Sequence, residues 1–367
     1  MESIYAIAST SLNVTSIEDE AIAERVSFVC NCLANRAGVR LLMSCMLAKV
    51  HVPTVDPRCP YTEIGGRRSF SGRAYDERFI GPFISKYRLP CNSTTAFLTP
   101  TLRNHDAPLT LKVELIGRPR ELYKYTVEIL DCVSKGSIAA ETVLVDAMRL
   151  LCRMRDENQL RMASLLGAIA GSVDSLPLSS EAIVTLLKQH LACKNSSRLP
   201  VLIVAAAYES AASQFGEVHL PLLSHNAADF QTGSLGDLEI CLAGEDSIVT
   251  SYEMKLKTVT KDDIDLAVTK IARSKVKLDN YLFITTDRID PDVVDYAAAF
   301  YEQTGGTEIA VLDCIGFIRH FLHFFHRVRG DFVDAYQAML LLEPDSAVSQ
   351  SLKEAFLALR KAAETDE

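Results

Sequence analysis

Gly236-Asp237-Leu238-Glu239-Ile240-Cys241-Leu242 leads through a polar turn at Gly244 to Ser247 into a second run, Ile248 to Lys257. That run closes on Tyr252-Glu253-Met254-Lys255-Leu256-Lys257. Side chains on a strand alternate between faces. Leu238, Ile240 and Leu242 therefore oppose Asp237, Glu239 and Cys241, and Tyr252, Met254 and Leu256 oppose Glu253, Lys255 and Lys257. Paired as a hairpin around Gly244, the two strands bring Asp237 and Glu253 to one surface. Carboxylates held together repel, and a hard divalent cation relieves the repulsion. The expected cofactor is Mg²⁺, with Asp237, Glu253 and the backbone carbonyl of Met254 as ligands and Lys255 beside it. Such a set suits phosphodiester hydrolysis. A metal ion lowers the pKa of water and acts as a Lewis acid, and an ammonium group stabilises charge on phosphorus.

Outward from this hairpin, the downstream pattern is a helix from Asp262 to Ser274, an apolar strand Tyr281 to Thr285, a helix Pro291 to Gln303 and a strand Glu308 to Leu312. Upstream, Ser197 can cap a helix that tolerates Pro200 in its first turn and runs to about Ser213. The order helix–strand–strand–helix–strand–helix–strand predicts an α/β fold, a mixed β-sheet flanked by helices. The N-terminal region reads as mainly helical. Thr15 with Glu18 fits a capping box ahead of Ile22, Val26, Val29 and Leu33. Further helices are expected over Arg36 to Lys49, Tyr75 to Tyr87, Pro119 to Ser134, Ile138 to Leu166 and Ser180 to Cys193, with a strand at Leu109 to Ile116. The expected domains are 1–195, a mainly helical region with a basic loop-rich segment at 58–104, and 196–367, the sheet-bearing core with C-terminal helices.

Asp237 and Glu253-Met254-Lys255 resemble the PD-(D/E)XK nuclease superfamily, with Gly236 standing where proline often precedes the aspartate. The element order over roughly Arg198 to Leu312 is similar to that superfamily's restriction-endonuclease-like core. The arrangement of a loop-rich segment at Tyr61 to Asn104, central helices and a late core resembles the SacI-type restriction endonucleases. The resemblance implies a type II restriction enzyme that cuts double-stranded DNA at a defined sequence with Mg²⁺ and leaves a 5′-phosphate. It implies catalytic roles for Asp237, Glu253 and Lys255. Many relatives place a further acidic residue on the preceding helix, which makes Glu209 a secondary candidate. Glu239 reads as a solvated strand position. A palindromic target implies a homodimer, and a cognate methyltransferase is expected in the same system without being a stable subunit. The alternatives are a repair or junction nuclease of the same fold and a DNA-binding protein with an inactive core.

DNA contacts need a local basic excess, because the chain carries a net charge of −9. Between Arg58 and Asn104 there are eight Arg/Lys residues against three acidic ones, a local balance of +5. Arg67, Arg68, Ser69, Ser71 and Arg73 interleave cations with hydroxyls and glycines that let a backbone approach phosphate. Arg78, Lys86, Arg88, Asn92, Ser93, Thr94, Arg103 and Asn104 extend the candidate surface. Gln231 and Ser234, just before Asp237, and Lys257 and Lys261, just after the catalytic strand, are expected near the scissile phosphate. The ten cysteines form no C-x-x-C pair, so reduced thiols in a cytoplasm are expected. No run approaches the ~18 uninterrupted apolar residues of a membrane span. His320, His323 and His326 lie among phenylalanines and read as a packing helix. No dinucleotide, P-loop or G-x-S-x-G spacing occurs.

Overall fold

The computed structural model describes the chain except residues 11, 13, 93, 104, 114, 171–176, 223–233, 246, 275 and 366–367. It divides into two compact units, Met1–Arg161 and Met162–Glu367.

The first unit is helical. It contains α1 (Glu2–Thr10), α2 (Glu20–Asn31), α3 (Ala37–His51), α4 (Gly72–Tyr75), α5 (Gly81–Tyr87), α6 (Arg120–Ser134) and the start of α7 (Ala140–Ala170). Every residue of α3 from Ala37 to Ala48 is buried, as expected of a helix surrounded by others. The one long cation in that buried stretch, Arg40, is met by Asp76. Its Nε and Nη2 donate to the two carboxylate oxygens at 3.0 and 2.9 Å, and Ser44 adds a bond at 3.2 Å. Two local expectations fail here. The first long helix starts at Glu20, capped by Asp19 accepting from the Ile22 amide, while the Thr15 hydroxyl accepts from Ile17 instead. Leu109 to Ile116 forms no strand among its described residues. Its alternation has no neighbouring strand to satisfy the backbone, and Leu109 donates to the Arg58 carbonyl at 2.7 Å in a loop contact.

The second unit is a mixed α/β structure. Before the sheet come α8 (Ser180–Leu191) and α9 (Leu199–Phe215). The strands are β1 (Glu217–His219), β2 (Leu238–Leu242), β3 (Ile248–Lys255), β4 (Asn280–Thr285) and β5 (Glu308–Asp313). Helices α10 (Lys261–Arg273) and α11 (Pro291–Ala298) alternate with the later strands, and α12 (Cys314–Phe324), α13 (Arg329–Leu342) and α14 (Gln350–Thr365) follow. The sheet order is β1-β2-β3-β4-β5. The first three strands pair antiparallel and the last three parallel, the parallel pairs being joined by crossovers through α10 and α11. Strand β1 was not anticipated: three residues are too few to show a period.

Each sheet face has its own apolar core. Leu238, Ile240, Tyr252 and Ile284 pack with α8, α9 and the C-terminal helices. Tyr281, Phe283, Ile309 and Val311 pack with Ile264, Ala267 and Ile271 of α10 and Val293 of α11. Helix α8, which sequence grouped with the N-terminal region, packs in this unit through Ile183, Val184 and Leu187. Among the described residues no helix is long and apolar enough to cross a membrane.

Candidate active site

The hairpin forms with Leu238 opposite Tyr252, Glu239 opposite Ser251 and Ile240 opposite Thr250. Asp237, immediately before β2, continues this ladder by donating its amide to the Tyr252 carbonyl at 2.8 Å. Leu238 and Tyr252 both enter the core of one face, so alternation directs Asp237 and Glu253 toward the other. The Met254 amide donates to Asp237 Oδ2 at 2.8 Å. That bond ties the aspartate to the backbone between Glu253 and Lys255. Asp237 is exposed, while Glu253 and Lys255 are half-buried.

Gly236 has a steric reason. A Cβ there would lie 2.5 Å from the Tyr252 carbonyl oxygen and 2.6 Å from Ser251 Oγ. The backbone of residue 236 lies directly on β3, leaving no room for a proline ring.

Glu253 sits in a dense charge network. Its Oε1 meets Lys255 Nζ at 3.3 Å, and its Oε2 meets Lys270 Nζ and the Tyr281 hydroxyl, each at 3.2 Å. Tyr281 comes from β4, whose parallel register sets it opposite Ser251, two residues before Glu253. Lys270 comes from α10, half-buried on the flank of the stripe formed by Ile264, Ala267 and Ile271. Lys255 is shared: its ammonium also meets Asp263 Oδ1 at 3.1 Å. Asp263 closes a capping box with Thr260 at the start of α10, so the helix terminus positions the lysine. Burial pulls the Lys255 pKa down, but Glu253 and Asp263 outweigh it and leave the ammonium above its ordinary value. Burial would likewise raise Asp263, yet bonds from Thr260 and Lys255 hold it below the usual carboxylate range. Lys255 is therefore a cation at neutral pH, suited to stabilising charge and not to accepting a proton.

Sequence reasoning missed Asp263, Lys270 and Tyr281. The Thr260-x-x-Asp263 spacing is a readable capping box, and Asp263 and Lys270 lie seven residues, two helical turns, apart. Their approach to Glu253 depends on strand order. Glu239 differs from its expected solvated role. Its Oε1 accepts the Leu235 amide at 2.8 Å, bracing the turn into Asp237.

The other predicted residues divide into several groups. Glu209 pairs with His219 at 3.5 Å. His219 is opposite Ile240, whose side chain belongs to the sheet face away from Glu253. Ser234 donates to the Gly236 carbonyl at 2.6 Å, inside the same turn as Leu235. Lys257 is exposed, and Lys261 Nζ stands 5.2 Å over the Tyr296 ring. Ser93, Asn104 and Gln231 lie outside the described residues.

Part of the basic segment in the first unit is internally paired. Arg58 is held by Asp56 and Asp131, Arg73 by Glu77 and Lys86 by Glu2. Ser69 spends its hydroxyl hydrogen on the Gly66 carbonyl at 3.0 Å, and Ser71 caps α4 by accepting from the Ala74 amide. The Asn92 carbonyl accepts from buried Arg40. Arg67, Arg68, Arg78, Arg88, Thr94 and Arg103 are exposed.

The chain matches no protein-family model and no curated protein sequence.

Proposed function

We propose that the chain is a Mg²⁺-dependent endonuclease that hydrolyses phosphodiester bonds of double-stranded DNA at a defined sequence, in the manner of a type II restriction enzyme. The observation that carries this reading is the Met254 amide bond to Asp237, which locks one carboxylate against the Glu253–Lys255 segment on the hairpin. Hard oxygen donors on adjacent strands, one of them open to solvent, fit a small divalent ion. Asp237, Glu253 and the Met254 carbonyl would hold it. When bound, such an ion supplies a lowered water pKa and Lewis acidity at the phosphoryl oxygens.

The chain's own residues do the rest. Lys255, kept protonated by Glu253 and Asp263, presents a positive charge where negative charge gathers on phosphorus. Asp263 orients Lys255 through the capped start of α10. Tyr281 and Lys270 fix the Glu253 carboxylate from the side of β4 and α10. A palindromic target would be cut by a homodimer, one copy for each strand.

One observation favours a second reading, a DNA-binding protein without hydrolysis. Glu253 is already neutralised by Lys255 and Lys270, so an ion must compete with two ammonium groups for it. Incubation of purified protein with unmethylated plasmid and Mg²⁺ separates the two. Discrete fragments are expected from the wild type and none from Asp237→Ala, with gel-shift affinity for DNA retained in both. Lys255→Ala should lower the cleavage rate by about 10²–10³, the scale of losing one transition-state stabiliser. Intact plasmid at every Mg²⁺ and Mn²⁺ concentration, with DNA still bound, would decide for the second reading.

A further inference from the structure

The geometry points to a phosphate-binding site in the first unit, in a cavity of about 560 Å³ lined by Lys49, Thr54, Asp56, Arg67, Arg68 and Ser134. Its size is that of a small-ligand site, on the order of 300–1,000 Å³, and its charge selects the ligand. Lys49, Arg67 and Arg68 are three cations with no carboxylate in ion-pair range among the described residues, unlike Arg58, Arg73 and Lys86 nearby. The one acidic lining residue is spent internally. Both Asp56 oxygens accept from Arg58, at 3.1 and 2.8 Å. Asp56 therefore adds little repulsion toward an anion.

Backbone bonds preform the cavity. The Asp56 amide donates to the Arg68 carbonyl at 3.0 Å, Phe70 to Cys59 at 3.1 Å and Gly72 to Pro60 at 2.8 Å. The returning segment is thus pinned along 56–60. Gly65 and Gly66, at φ +74° and +83°, supply the reversal that carries Arg67 and Arg68 back over the end of α3, a conformation open to glycine at little cost. Lys49 is anchored from that helix. Its Nζ donates to the Val55 carbonyl at 2.9 Å and to that of Pro53, which leaves one of its three N–H donors. Guanidinium forks match the paired oxygens of a phosphate. Among the described residues the lining contains no aromatic ring on which a base could stack, so the recognised group is the phosphate itself. It can come from a nucleic-acid backbone or from a free polyphosphate. The site stands on the first unit alone and does not depend on hydrolysis at Asp237.

Titration calorimetry of the full chain with pyrophosphate, and separately with a short DNA duplex, tests the assignment at low and at raised salt. The wild type should bind at least one probe, more weakly as salt rises. Arg67→Ala/Arg68→Ala and, independently, Lys49→Gln should each weaken that binding about tenfold or more, with unchanged thermal melting of the double variant. Binding of pyrophosphate alone assigns the site to a free anion, and a duplex displaced by pyrophosphate assigns it to the DNA backbone. Failure of both probes at low salt, or equal affinity in all three proteins, overturns the proposal. Plasmid cleavage in the same preparations reads the nuclease separately, so either idea can fall without the other.

Discussion

At Gly236 the chain has no space for any side chain, because the backbone of β3 passes within contact of the absent Cβ. The close approach lets Asp237 reach the Met254 amide. Gly236→Ala must push β2 away from β3, at a cost of about 1–3 kcal/mol for an overpacked contact. Thermal unfolding should show a lower Tm, and the Asp237 to Met254 bond should weaken with it. An alanine variant as stable as the wild type would show that the strands separate freely. Lys255 poses a different residue-scale question, since its two acidic neighbours, Glu253 and Asp263, come from a strand and a helix start. Asp263→Asn removes one of them and leaves the capping oxygen. The expected result is a modestly slower reaction with near-normal stability, read by comparing cleavage rate with melting temperature.

Among the elements, α10 links stability to the proposed site. Its capping box satisfies the first turn and also aims Asp263 at Lys255. Thr260→Ala should cost about 1 kcal/mol, the usual worth of an N-cap hydroxyl, measurable by urea unfolding. Helix α8 offers a pH test. His190 is fully buried, bonded to the Tyr336 hydroxyl at 2.9 Å and the Leu352 carbonyl at 3.0 Å, which joins α8 to α13 and α14. Burial pushes its pKa down to about 4. The folded state thus holds it neutral where the unfolded chain binds a proton. Stability should be full above the ordinary histidine value of 6.5 and fall as pH drops toward 4, by roughly 3 kcal/mol in total. His190→Gln should flatten that slope between pH 6.5 and 4 in urea unfolding. An unchanged slope would place the titration elsewhere.

At the scale of the whole molecule, two units carry separate cores. Leu42 is fully buried in the first and Ile203 in the second. Leu42→Ala and Ile203→Ala should each cost about 2–5 kcal/mol, the usual price of a core truncation. Their effects should add, because the residues share no packing neighbours. Denaturant unfolding of both single variants and the double variant checks this, and a non-additive double would show that the two sites are energetically coupled. The net charge of −9 belongs to this scale as well. With Arg58, Arg73 and Lys86 paired internally, any affinity for a polyanion rests on the remaining local cations, and it should fall steeply with salt.

Periodicity alone placed Asp237, Glu253 and Lys255 against Leu238, Tyr252 and Met254, because alternation along a strand is a local property of the backbone. The same local signals located β2 to β5 and the helices between them to within a few residues, apart from a shorter α11. Three groups around Glu253 could not be read that way. Tyr281 reaches it only through the parallel pairing of β4 on β3, Lys270 only through the packing of α10 on that face, and Lys255 is shared with Asp263 only because α10 starts there. The basic segment shows the same division. Composition showed its charge, but which arginines face carboxylates and which remain open depended on chain reversals that bring distant residues within a few ångströms. Sequence fixes which side of an element a residue occupies; contact between elements is a long-range property, set when packing chooses one register and one strand order.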